Sequence, residues 1–217
     1  MQQKTIKITG EGKKTYKPDQ IIIRIEYEEV LPTYDEALNA AAEYTKVIKT
    51  KAVSAGVTDT NVTTHSFSVS PKTISVKDER GNYHSKLIGY EASVGFSIKI
   101  PVDNKLLSKV LYTLKEHKGT FRFLYVLKDR EKANEEVMEL AVKAAIKKAE
   151  ILAKAAGETL GEILNIDYSY GRVEFEYDRG MVYECSKPMI VGSAPEIDID
   201  PEELEIKDTV NIIWALK

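Results

Sequence analysis

Apolar and polar residues alternate along QIIIRIEYEEV (residues 20–30). Ile21, Ile23, Ile25 and Tyr27 share one face and Arg24, Glu26 and Glu28 the other, with Ile22 the exception. This period of two predicts a half-buried strand, and KTIKIT (4–9) predicts a shorter one. The period then lengthens. In LPTYDEALNAAAEYTKVIKTKAVSAG, Ala37, Ala40, Ala41, Tyr44, Val47, Ile48 and Ala52 recur at helical spacing. Thr33 with Glu36 forms a capping box and Gly56 a stop, so a helix of about six turns is expected. PVDNKLLSKVLYTLKEHKG repeats the scheme, with Asp103 as N-cap, Leu106, Leu107, Val110, Leu111 and Leu114 as the buried face, and Gly119 as the stop. FRFLYVLK (121–128) reads as a strand. Asp129 then opens the longest helix, which ends at Gly157 with Met138, Val142, Ala145, Ala149, Leu152 and Ala156 as its apolar stripe. EILNIDYSY (162–170) and the closing KDTVNIIWALK, with Trp214, read as strands. A small tyrosine-rich hairpin is expected between them at about 168–186 (Tyr168, Tyr170, Tyr177, Tyr183).

Residues 62–100 predict one long β-hairpin, with limbs near 62–78 and 84–100 and a turn near Arg80–Asn82. Strands are usually about 5–6 residues long, so this ribbon is far longer than most. Its parity is informative. Phe67 and Val69 are odd and Ile74 and Val76 even, whereas Ile88, Tyr90, Ala92, Val94, Phe96, Ile98 and Ile100 keep one parity. A regular ladder cannot reconcile these, so a bulge near Pro71 or Gly89 is expected. Phe67, Val69, Val94, Phe96 and Ile98 are expected in the core sheet. The outer part is polar and is expected to project.

The order β β α β β α β α β (β β) β contains βαββαβ from Ile21 to Lys128, which permits a ferredoxin-like split sheet. The expected fold class is α+β: a two-layer sandwich of a mostly antiparallel sheet with about three helices on one face, plus the protruding hairpin. No low-complexity segment or linker divides residues 1–217, so a single domain is expected.

Composition changes this picture little. The chain has 217 residues, 43% hydrophobic and 30% charged, with a net charge of −3. That balance gives no whole-chain field favouring nucleic acid. The long helix carries Lys143, Lys147 and Lys154, but Glu139 and Glu150 precede two of them by four residues, the spacing of helix ion pairs. That face is expected to be solvated. The one cysteine, Cys185, precludes an internal disulfide, and no histidine neighbours it in sequence. The N-terminus shows no apolar segment of signal-peptide type and no run approaches the ~18 residues of a membrane span. The expected location is cytoplasmic, or the cell envelope if an export segment precedes this sequence.

The catalytic templates fail in turn. His65 and His84 lie on the order of 40 Å apart along an extended ribbon, too far for one zinc ion. His117 falls in the last turn of a helix, where the dipole favours a cation. TGEGKKT lacks the first glycine of a phosphate loop and leads into a strand. VGSAP has the wrong spacing for a nucleophile elbow. No catalytic, cofactor-binding or metal-ligating residue is assigned, and no cofactor is expected. The interaction candidates are Lys72, Ile74, Val76, Arg80, Tyr83 and His84, on the outer ribbon.

The segments IKITGEGKKTYKPDQIIIRI, IGYEASVGFSIKI, AVKAAIKKAEILAKAAGETLGEI and VNIIWAL, in this order and spacing, resemble the SIMPL-domain family over nearly the whole chain. The residues that carry the resemblance are Gly10 and Gly12, Pro18–Asp19, Gly89–Tyr90, and the Ala/Lys helix ending in Ala156–Gly157. Their expected roles are in folding: a backbone bend at Gly10 and Gly12, a turn at Pro18–Asp19, a bulge at Gly89. The family is described as a domain of unknown function. The resemblance implies a bacterial protein, often exported to the periplasm or envelope. It also implies links to oxidative-stress defence in some members, oligomers in others, and a kinase adaptor in animals. It supplies no catalytic set.

Two functions follow as expectations. The first is a non-enzymatic interaction protein that self-associates through the long hairpin, as a homo-oligomer or with another protein. The second is a small-molecule binder or enzyme with a pocket between sheet and helices, for which the Tyr168–Tyr183 insert is the candidate lining. Neither nucleic acid nor a transmembrane segment is expected.

Overall fold

The computed structural model describes residues 3–168, 174–175 and 198–217. Cys185 and most of the small hairpin expected at 168–186, including Tyr170, Tyr177 and Tyr183, lie outside the described residues. The fold is α+β. In chain order the strands and helices are β1 (Thr5–Tyr16), β2 (Gln20–Leu31), α1 (Tyr34–Ser54), β3 (Val62–Lys77), β4 (Tyr83–Pro101), α2 (Asn104–Leu114), β5 (Thr120–Val126), α3 (Arg130–Ala155), β6 (Leu160–Asp167), β7 (Glu174–Phe175) and β8 (Leu204–Leu216). The strands are shared between two antiparallel four-stranded sheets, where the alternation pattern alone suggested one. The chain divides into two compact units, Met1–Pro18 with Leu127–Arg179 and Pro201–Lys217, and Asp19–Val126 with Gly180–Asp200.

In the second of these units the sheet order is β3-β4-β2-β5, every pair antiparallel. This is the split βαββαβ arrangement that the element order permitted. Ile21, Ile23 and Ile25 of β2 join Phe96, Ile98 and Ile100 of β4 on one buried face. Ala37, Ala41, Tyr44, Ile48 and Ala52 of α1 and Leu107, Val110 and Leu114 of α2 cover it. The helix ends follow their sequence signals. Thr33 and Glu36 make the reciprocal capping box, and the Asp103 carboxylate accepts from the Lys105 and Leu106 amides. Gly56 (φ 104°) follows the C-cap of α1. Gly119 is not the stop of α2, which ends at Leu114. It leads into β5, where a Cβ would lie 2.9 Å from the Glu26 carbonyl and from the Tyr44 hydroxyl. Pro18 and Asp19 stand in the connection between β1 and β2, and the Asp19 amide donates to the Val126 carbonyl at 3.2 Å.

In the first unit β8 is central, paired with β1 along one side and with β6 and then β7 along the other. Its even residues Ile206, Val210, Ile212 and Trp214 are buried, as is Ile8 of β1. Helix α3 packs on this face through Ala133, Val137, Ala141, Ala145, Ala149 and Ala153. The buried stripe therefore differs from the one expected. Ala145 and Ala149 belong to it, but Leu152 is exposed and the row runs at strict four-residue spacing. Gly10 and Gly12 explain why. They sit inside β1, not at a bend between strands, and a Cβ on them would lie 2.1 Å from the Ala141 carbonyl oxygen and 2.0 Å from that of Val137. The helix backbone rests on the strand at the two positions where β1 has no side chain. Gly157, after α3, has φ 74° with open space around it.

Candidate functional site

The long hairpin forms as the parity argument required. β3 has 16 residues and β4 has 19, and a register shift falls between Lys72 and Thr73. Lys72 pairs with Gly89 and Thr73 with Leu87, so the extra residue, Ile88, is in β4. Gly89 takes φ 148°, and a Cβ there would meet the Leu31 carbonyl at 2.4 Å. Because β3 is regular from Ser66 to Lys77, Ile74 and Val76 take the face opposite to Phe67 and Val69. Phe67, expected in the core, is instead 47% exposed, on β3 at the edge of the described sheet.

The last pair that β4 makes with β2 is Tyr90 with Leu31. Beyond it, among the described residues, β3 and β4 pair only with one another. Ile74 and Val76 stand opposite Lys86 and His84 on one face of this ribbon, and Leu87 and Tyr83 opposite Thr73 and Lys77 on the other. Ile74 is 47%, Leu87 50% and Tyr83 71% exposed, so neither face is packed. Lys72 forms an ion pair with Glu91, which holds its ammonium pKa above the usual lysine value. The Lys77 ammonium sits 5.8 Å from the centre of the Tyr83 ring. The tip is fastened by Asp78, whose carboxylate accepts from the Arg80 and Asn82 amides at 2.9 and 2.8 Å. The six candidates thus share one exposed ribbon, but they do not converge on a single point. At its base the Tyr90 ring meets Tyr34 edge-on at 5.8 Å.

A second register shift, not expected from the sequence, falls between Thr64 and Ser66 and makes His65 the extra residue of β3. Its ring lies over Gly95. A Cβ at that glycine would come within 2.4 Å of His65 Nε2 and of Ser66 Oγ. His65 Nε2 lies 3.2 Å from Glu26 Oε1, and Nδ1 lies 3.4 Å from Ser97 Oγ. Each of these residues is polar on a polar sheet face, a pattern that signals only solvent until the bulge aligns them.

Under the sheet, Tyr27 and Tyr44 stack at 4.0 Å with 13° between their rings. The Tyr27 hydroxyl donates to Glu29 at 2.5 Å, the Tyr44 hydroxyl to the Lys118 carbonyl, and the Lys118 ammonium pairs with Glu29. Burial, and for Tyr27 also the Glu29 carboxylate, pushes both phenols well above the usual tyrosine range. The Lys118 hydrogen bond, then that from Tyr27, holds Glu29 below the usual carboxylate range. His117 lies beyond the end of α2 with its ring edge against Tyr44. Burial, then the Lys51 charge, lowers its pKa. It is therefore not the dipole-stabilised cation expected of a last-turn histidine.

Among the described residues no three of His, Cys, Asp and Glu are placed to share a metal ion, and no helix is long and apolar enough to cross a membrane. An open depression on the solvent side of α1 is lined by Ala42, Glu43, Lys46, Val47, Thr50 and Lys51. It lies outside the space between sheet and helices, which aliphatic and aromatic side chains fill.

Two curated proteins resemble the chain over almost its full length. The 26 kDa periplasmic immunogenic proteins of Brucella melitensis biotype 1 and Brucella abortus (strain S19) are each 28% identical over 219 residues, covering 98% of this chain and 84% of the relative. Their periplasmic description overturns the cytoplasmic location expected from the first residues, a segment that carries no information about what precedes it. The family model for SIMPL, a protein of unknown function, matches residues 6–214. With nearly every strand and helix inside that match, the chain belongs to the SIMPL family.

Proposed function

We propose that this protein is a non-enzymatic assembly protein of the bacterial cell envelope that associates with further copies of itself through the outer half of β3 and β4. The observation that carries this reading is the ribbon beyond Leu31 and Tyr90, which among the described residues pairs only with itself and exposes Ile74, Tyr83 and Leu87 on its two faces. Among the described strands β3 is also the edge strand for its whole length. Edge strands usually carry charges that discourage pairing. From Val62 to Val76 the only lysine, arginine or carboxylate is Lys72, and Glu91 already pairs with it. Two such edges brought together about a two-fold axis meet no like-charge barrier, and self-complementary pairing of this kind gives a closed dimer. The envelope location is supported by the printed name of the Brucella relatives.

Light scattering over a concentration series tests the reading, using the full chain and a variant in which residues 72–87 are replaced by Asn-Gly. The full chain is expected to show a multiple of the 24.4 kDa chain mass and the variant a single chain mass, with both still folded by circular dichroism. A full chain that stays monomeric at its solubility limit, or a variant with unchanged mass, overturns it.

A further inference from the structure

The face of the β3-β4-β2-β5 sheet turned away from α1 and α2 arranges its side chains in rows set by strand pairing. One row runs Arg122 of β5, Arg24 of β2 and Ser97 of β4. Lys99 stands in the next row, opposite Ile22. Arg24 and Arg122 are direct cross-strand partners, so their Cβ atoms are about 4.5–5.5 Å apart. Like charges so placed destabilise a sheet. Arg24, Arg122 and Lys99 are exposed, and among the described residues none of the three has a hydrogen-bond or ion-pair partner. The carboxylate nearest along β2, that of Glu26, is engaged by His65, and the same imidazole approaches Ser97 from its other nitrogen.

We propose that this row binds a compact tetrahedral oxyanion, a phosphate or a phosphate monoester, between the guanidinium groups of Arg24 and Arg122. Two planar forks side by side match two edges of a phosphate, and a bound dianion turns the repulsion between them into shared attraction. Lys99 adds a third charge. Ser97 lines the row from the adjacent strand, and its one hydroxyl proton goes to His65 Nδ1, because the Nε2–H of that ring serves Glu26. The same face argues against nucleic acid. Among the described residues the row of Arg122, Arg24 and Ser97 holds no phenyl, phenol or indole ring on which a base could stack, the His65 imidazole is engaged by Glu26 and Ser97, and Glu26 and Glu28 would repel a chain of phosphates running along β2. This site is separate from the hairpin ribbon and does not rest on the assembly reading.

The test adds inorganic phosphate, and separately glycerol phosphate, to the full chain, with sodium chloride at matched ionic strength as reference. Amide chemical shifts and thermal melts are followed. Saturable shifts centred on Arg24, Ser97 and Arg122 are expected, with affinity falling at least about tenfold, or 1.4 kcal/mol, in Arg24→Gln and in Arg122→Gln. Equal affinity for the two probes identifies the free anion as the ligand class, and tighter glycerol phosphate identifies an ester. Phosphate strengthens burial in any protein, so the variants decide. In chloride Arg122→Gln is expected to melt no lower than the parent, since a like-charge pair is relieved, and to lose the extra rise in phosphate. No saturation, or an equal rise in parent and variants, overturns the proposal.

Discussion

Asp208 is a carboxylate only 1% exposed, on the α3 side of β8 and directly opposite Gly12. A charge so placed persists only if hydrogen bonds replace water. The Tyr168 hydroxyl donates to one carboxylate oxygen and the Thr209 amide to the other, both at 2.7 Å. That hydrogen bond, and then burial, pushes the Tyr168 phenol up to about 12. Tyr168→Phe leaves one oxygen without that donor, so stability is expected to fall by about 1–3 kcal/mol in urea unfolding followed by Trp214 fluorescence. Asp208→Asn is expected to return the Tyr168 phenol toward its ordinary value in an ultraviolet titration. An unchanged midpoint in the first variant together with an unmoved phenol in the second would show that the pair does not hold. The sequence placed Tyr168 among the tyrosines of an insert and gave Asp208 no role, because partners that meet across two strands leave no local spacing to read.

At the scale of elements, what could be read from sequence was whatever is encoded in one stretch of chain. The capping box at Thr33–Glu36, the Asp103 and Asp129 caps, the hairpin limbs and the bulge beside Gly89 each rest on residues near in sequence, and each is present. The docking face of α3 was not legible in this way. Alanine suits both a buried stripe and an exposed helix face, so the choice is made by the strand beneath it. Gly10 and Gly12 select Val137, Ala141 and Ala145 because only there can the helix backbone come down onto β1. The bulge at His65 was missed for a related reason, since what calls for it is the missing side chain of Gly95 on another strand. If close approach is what the β1 glycines serve, Gly12→Ala must lift the helix or bend the strand. A loss of about 3 kcal/mol or more is expected. Gly157→Ala is the control: it meets nothing within 4 Å and has only its φ of 74° to strain, a cost of about 1–2 kcal/mol. Equal losses in the two variants would assign both glycines to conformational freedom alone.

At the scale of the whole molecule, each compact unit is discontinuous in sequence, the first taking in both ends of the chain and the segment that carries α3. No linker or change of composition marks such a division, which is why the alternation pattern gathered all strands into one sheet. The units also differ in how they respond to pH. In the βαββαβ unit, His117 has a pKa lowered by burial and by Lys51, while its unfolded value is about 6.5. Between those two values the unfolded chain binds the proton more readily, so stability is full above about 6.5 and falls as pH drops through that window. In the same unit the phenols of Tyr27 and Tyr44 are held above their ordinary value, so the folded state retains protons that the unfolded chain gives up. Stability there is full below about 10 and declines as pH rises beyond it. In the unit that holds α3, the shifted carboxylates, Glu136 and Glu205, are lowered by surface ion pairs with Lys14 and Lys13. Their protonation is held below the range of ordinary carboxylates, and solvent screens them. The single tryptophan, Trp214, is buried in this unit and reports on it alone. Acidifying from neutrality to just below pH 6 is therefore expected to weaken hydrogen-exchange protection in β2, α1 and β5 while the Trp214 unfolding midpoint stays fixed. His117→Gln, which has no proton to gain, is expected to flatten that response. If protection in β2 and β5 instead falls equally in the variant, the acid sensitivity lies elsewhere and the buried imidazole is not its source.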